Sequence, residues 1–187
     1  MVIVYLWKSG EDSQMGHVAM QIAGDGDKNA YVSWYPQQPI GDAFIFEQNV
    51  CVKGKAYKSF KAEVQHEWKG QIPIAATLHD LNEKKMMTDW QSLKTEKQWC
   101  LADRNCATVV YMLIRAGGGP KVEELQNIDK AVWAQEDDLA EKIARIAKGA
   151  WTPVRAFNYA NALMAIEQAK KKKSKKPATA AKAGAKK

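Results

Sequence analysis

The residue best placed to do chemistry is Cys106, which stands near the head of the apolar stretch Asn105-Cys-Ala-Thr-Val-Val-Tyr-Met-Leu-Ile114. A thiol becomes a nucleophile when its thiolate is stabilised, and the first turn of a helix supplies unpaired N–H groups and the positive end of the helix dipole. The competing reading of Cys106 is a small apolar residue at the top of a core helix, since free cysteines are among the most buried side chains. A cysteine nucleophile also needs an imidazole within hydrogen-bond reach, and His17, in Gly16-His-Val-Ala-Met-Gln-Ile22, is the best candidate. His66 sits in a charged stretch and His79 beside Asp80, where a helix-cap role is simpler. Three residues compete to orient the imidazole: Ser33, Gln21 and Glu47. The oxyanion would fall to the backbone N–H of Cys106, with Asn105 as a positional candidate for a second donor.

These residues need elements to carry them. Val2 to Trp7 reads as a buried strand. In His17 to Ile22 strict alternation puts Val18, Met20 and Ile22 on one face and His17, Ala19 and Gln21 on the other, so the histidine lies on the less apolar side. A turn-rich Gly24–Asn29 segment and Tyr31-Val-Ser-Trp-Tyr35 complete a hairpin over residues 17 to 35. Pairing Gln21 with Tyr31 sets Ala19 against Ser33 and His17 against Tyr35, leaving Ser33 diagonal to His17. Ala43–Glu47 and Ile72–Leu78 suggest further strands, while residues 53 to 70 are ambiguous. Residues 80 to 100 read as a helix of imperfect periodicity.

Asp103 is the expected cap of the cysteine helix, whose inward positions are Cys106, Val109, Val110, Leu113 and Ile114, and Gly117-Gly-Gly-Pro120 ends it. Two more helices follow, over Glu136–Lys148 and from Pro153 onward. Strands first and helices later argue an α+β fold.

The net charge of +7 is unevenly spread. Residues 170–187 hold nine lysines and no acid, leaving residues 1–169 with 19 basic against 21 acidic side chains, a net of −2. The expected organisation is therefore a domain over 1–168 and a disordered, lysine- and alanine-rich tail over 169–187 that offers polyanions a handle. The six-residue apolar run at the N-terminus is too short for a signal peptide or a membrane span, so synthesis in the cytoplasm without Sec export is expected. Three cysteines without an export signal are expected to be reduced thiols. No closed set of metal ligands and no phosphate-binding glycine pattern is present, so no cofactor is expected. Most of the seven tryptophans are expected in the core.

Gly16–Gln21 with Tyr31–Pro36, then Asn105–Gly118, then Trp151–Ala160 together resemble the papain-like cysteine hydrolases of the circularly permuted NlpC type, in which the histidine strand precedes the cysteine helix, as also in relatives of lecithin retinol acyltransferase. The resemblance covers residues 1 to 165 in outline. It implies an antiparallel sheet packed on the cysteine helix, with Cys106 as nucleophile, His17 as base and a polar residue on the following strand, Ser33, as orienter. A serine departs from the family's usual His, Asp, Glu or Asn. It further implies a toxin or effector moved by a type VI secretion apparatus, with a peptide or protein substrate and a cognate immunity protein. The expected reaction is amide hydrolysis, with deamidation or acyl transfer in the same cleft as relatives of it. A non-catalytic module directed to nucleic acid or an anionic surface by its basic tail is the alternative from another class.

Overall fold

The computed structural model describes residues 1–8, 16–23, 30–38, 50–125 and 150–174. The expected strand at 43–47, the expected helix at 136–148 and Glu47 lie outside the described residues.

The first strand, β1 (Val2–Trp7), is a run of bulky and β-branched residues and takes the centre of a four-stranded antiparallel sheet. It pairs with β2 (His17–Ile22) from Val2↔Ile22 to Trp7↔His17. On its other side it pairs with β6 (Ile74–Leu78). Beyond β2 lies β3 (Ala30–Val32), with Gln21 opposite Tyr31, the pairing supposed above. The hairpin ladder stops there, because at Ser33 the chain leaves this sheet and continues as β4 (Trp34–Pro36) in a second one. That sheet has the order β4, β5 (Cys51–Ala56), β7 (Gln98–Cys100), all antiparallel. Gly54 of β5 is fixed by packing, since a Cβ there would stand 2.2 Å from the ring of Trp34.

The alternation along β1 and β2 gives the large sheet two different faces. Val2, Val4, Leu6, Val18, Met20 and Ile22 are all buried on one face. Against them pack Val109, Val110, Leu113 and Ile114 of α3 (Cys106–Ala116) and Ala156, Phe157, Ala160 and Leu163 of α4 (Pro153–Ser174). Helix α2 (Glu83–Thr95) adds Met86, Trp90 and Leu93 to the same core. The other face carries Tyr5, Trp7, Ala19 and Tyr31, covered by Phe60 and Val64 of α1 (Phe60–His66) and by Trp68. Of the six tryptophans among the described residues, five are buried. The molecule is an α+β arrangement of antiparallel sheets and helices.

Four expectations are corrected. Residues 80–100 are not one helix: α2 stops at Thr95, Lys97 adopts φ 53°, and the chain turns back as β7. Asp103 does not cap α3, because Cys100 and Arg104 bridge across a turn that contains it, and Asn105 takes the cap position. Cys51 and Cys100 form a disulfide, because the pairing of β5 with β7 sets them opposite each other with Cα atoms 4.1 Å apart. Helix α4 runs to Ser174, past the boundary expected at residue 168, leaving the core after Glu167 and standing exposed from Gln168 onward.

Candidate active site

His17 opens β2, preceded by Gly16 at φ 61°, a backbone conformation that favours glycine. Its side chain falls on the aromatic face of the sheet and is 2% exposed. The helix over that face is α1, not the cysteine helix. Cys106, the first residue of α3, approaches from the apolar side, close enough for its interaction with the imidazole to raise the His17 pKa. The two meet because each stands at the first position of its element.

Helix α1 contributes a residue that the sequence reading missed. Ser59 caps it, accepting the Ala62 N–H at 3.3 Å, and the first turn then presents Phe60, Glu63 and Val64 to the sheet. Glu63 is fully buried. Its Oε1 lies 3.1 Å from His17 Nε2 and accepts the Tyr35 hydroxyl at 2.7 Å, while Oε2 accepts the Tyr31 hydroxyl at 2.5 Å. Trp68 Nε1 donates to the Tyr35 oxygen at 3.1 Å, and the Tyr35 ring stacks on His17 with centroids 4.0 Å apart. A buried carboxylate is tolerated only when paired and hydrogen-bonded, and this one has three donors.

The electrostatics follow from that packing. Burial pulls the His17 imidazole down, but the Cys106 thiol and the Glu63 carboxylate outweigh it and raise the imidazole to about 9. Burial pushes the Glu63 carboxyl up, but the hydrogen bond and charge of His17 together with the two tyrosine donors hold it at about 2. Burial, reinforced by the Glu63 charge, pushes both tyrosines well above the usual phenol range, so both remain donors.

The expected candidates separate cleanly. Cys106 and His17 are brought together. Ser33 is buried and does reach His17, its Oγ 3.5 Å from Nε2, but the Glu63 oxygen is closer to the same nitrogen. Gln21 donates to the Ala30 carbonyl instead. His66 is exposed against Tyr57, and His79 caps nothing: Asn82 caps α2, while the His79 and Asp80 N–H groups both donate to the buried Glu167 carboxylate of α4. Asn105 has no side-chain donor to spare for an oxyanion. Its amide nitrogen donates to Leu101 and Trp151 carbonyls and its oxygen caps the Thr108 N–H at 2.8 Å. The Val109 N–H is the first to find an intrahelical carbonyl, so the Cys106 N–H, at the first helical position, has no partner within the helix. Among the described residues no group of three or more His, Cys, Asp or Glu side chains is arranged to hold a metal ion.

Glu63 left one trace in the sequence. An acid between Phe60 and Val64, four residues after a serine cap, is a charge placed on an apolar helical stripe, which demands a buried partner.

The family model of the IcsB middle domain matches residues 52–182. The chain belongs to the IcsB middle domain family. The match spans Glu63 and Cys106 but begins after His17 and Ser33, so two of the clustered side chains lie inside the IcsB middle domain and two on the strands before it. IcsB itself is a secreted bacterial effector. No curated protein and no solved structure matches the chain. Among the described residues no helix is long and apolar enough to cross a membrane.

Proposed function

We propose that the chain is a thiol-dependent hydrolase of amide bonds, with Cys106 as nucleophile, His17 as general base and Glu63 as the residue that orients the imidazole. The observation that carries this reading is that one buried imidazole lies 3.1 Å from the Glu63 carboxylate and within electrostatic reach of Cys106 at the head of α3. In this mechanism His17 takes the Cys106 proton, and the sulfur attacks the substrate carbonyl. The oxyanion forms beside the Cys106 N–H and the positive end of α3. The imidazolium, held against Glu63, returns its proton to the leaving nitrogen, and water then releases the acyl group. Ser33 supports the same imidazole edge as a neighbour of Glu63.

The order of a histidine strand before a cysteine helix supports assignment to the permuted NlpC-type branch of the papain-like fold. Membership of the IcsB middle domain family supports an effector role, exported by a specialised secretion system and directed at a peptide or protein in the target cell, with an immunity protein as its antagonist. The exposed lysines at 170–173 favour a second, auxiliary reading, in which this end holds the domain against a polyanion.

The test is toxicity, or turnover of a target-cell extract followed by mass spectrometry, for the wild type, Cys106→Ala and His17→Ala. Both variants are expected to be inactive. Activity surviving in either would overturn the mechanism. Cleavage gives two fragments, deamidation adds about one dalton and transfer to another nucleophile adds the acyl mass, so the products also settle what resolves the acyl-enzyme.

A further inference from the structure

The disulfide does not sit at random with respect to the nucleophile. Cys100 ends β7, and its N–H and carbonyl both bond to Arg104, at 3.4 and 3.1 Å, closing the turn before α3. Inside that turn the Leu101 N–H donates to Val50, the residue before Cys51, at 3.0 Å. The Leu101 carbonyl in turn accepts from Asn105, whose oxygen caps α3 and so fixes the backbone of Cys106. The bridge, the turn, the cap and the nucleophile therefore follow one another without a gap from residue 100 to residue 106. The rest of the clip is slight: β5 and β7 pair over only Cys51↔Cys100, Val52↔Trp99 and Lys53↔Gln98. The two sulfurs differ in access, since Cys51 is exposed and Cys100 is 6% exposed.

We propose that Cys51–Cys100 is a redox modification site, addressed by small thiols of the glutathione class, that sets the reactivity of Cys106. This rests on the reading of Cys106 as nucleophile. A small thiolate attacks the accessible Cys51 sulfur, the S–S bond breaks, and Cys100 leaves as a thiolate that takes a proton. A second small thiolate attacks the mixed disulfide, giving the oxidised small disulfide and a free Cys51 thiol. Two small thiols have then lost two electrons and two protons to the bridge. In the reduced chain the cap turn keeps its hydrogen bonds, the Arg104–Glu96 ion pair and the burial of Trp99 and Leu101 but loses its covalent tie to β5, and Cys106 loses its fixed approach to His17. The bridged form is the reactive one, and a reducing compartment lowers its activity.

The experiment uses the full chain equilibrated in buffers of graded reduced-to-oxidised glutathione ratio, desalted without air, and alkylated with iodoacetamide across pH. Mass spectrometry reads the Cys51–Cys100 linked peptide and the Cys106 label in the same sample. The labelling rate at Cys106 is expected to fall on the order of ten-fold as the linked peptide disappears, in line with the cost of a small misplacement of a reacting group. The double variant Cys51→Ala, Cys100→Ala should label at the reduced rate whatever the glutathione ratio. An unchanged Cys106 rate across the titration, or no linked peptide in the unreduced chain, would overturn the proposal. Should the double variant not fold, the wild-type titration decides alone. The His17→Ala chain keeps the two ideas apart: if its Cys106 labels like the wild type, the Cys–His reading fails, whereas a His17-dependent rate that ignores glutathione sinks only the redox site.

Discussion

The two faces of the four-stranded sheet are both buried, yet they do different work. Under α3 and α4 the contacts are aliphatic side chains and alanines with Phe157 and Tyr159, a surface that stabilises by area removed from water. Under α1 the contacts are Tyr5, Trp7, Tyr31 and Trp68 around a buried glutamate and histidine, a surface whose polar atoms must be satisfied one by one. The comparison teaches that burial here serves two ends: one face holds the fold, and the other removes water from a charged pair while giving every oxygen of Glu63 a donor.

That contrast makes separable predictions. Cys106→Ala removes a half-buried sulfur at the seam between the faces, so turnover should fall by at least about a thousand-fold while thermal midpoint barely moves, as a truncation of the reacting atom alone requires. Glu63→Ala should do both kinds of damage, because it strands two tyrosine hydroxyls and the imidazole. About 3–5 kcal/mol of stability is expected to go, read by urea denaturation, along with most activity. Glu63→Gln keeps the shape and should separate the two losses, recovering part of the stability but not the pH profile. On the opposite face, Leu113→Ala should cost about 2–5 kcal/mol through the cavity it leaves, with the reactivity of the folded fraction at Cys106 unchanged. If Leu113→Ala silenced Cys106 in the folded state, or Glu63→Ala left stability intact, the division of labour between the faces would be wrong.

The pH dependence sharpens the same division. The His17 imidazole is raised to about 9 in the fold, above its ordinary 6.5, so its contribution is fully present below 6.5 and is lost as pH rises through 9. The Glu63 carboxyl is lowered to about 2 from 4.5, so its contribution is present above 4.5 and is lost as pH falls through 2. Stability from the pair should therefore be greatest between 4.5 and 6.5, and the thermal midpoint should decline on both sides. His17→Ala should flatten the alkaline arm. The smallest effect is expected from ending the chain at Gln168: fold and turnover on a small substrate should stay, while any retention on anionic vesicles or nucleic acid should drop and lose its salt dependence.

Much of this was legible in the residues. Alternation alone put Val18, Met20 and Ile22 on the core face, since a one-residue slip would have moved them out of it; the supposed Gln21–Tyr31 pair forms, but the Ala19–Ser33 and His17–Tyr35 pairs do not, because the chain changes sheets at Ser33. Pro153 and Gly117 marked helix ends that the structure keeps. What escaped depends on contacts far apart in the chain. Glu63 looked like one charge among many in Lys53–Gly70, and only the aromatic face of a sheet built from residues 5 to 31 explains its burial. The disulfide was invisible because Cys51 and Cys100 lie 49 residues apart and β7 hides behind a helical pattern. Asp103 was the obvious cap by residue type, yet the Cys100–Arg104 bridge had already claimed its turn.

Drawing its three groups from residues 17, 63 and 106 also makes the cluster a late product of folding. None of the three stretches can test another until the chain between them has been closed into the sheet, so the loop entropy is spent before the hydrogen bonds return anything. Cys106 is also the last of the three to be synthesised. On the proposed mechanism a nascent or partly unfolded chain thus carries an inert cysteine, and reactivity at Cys106 would be a chemical report that the histidine strand, the short helix and the cysteine helix have all arrived.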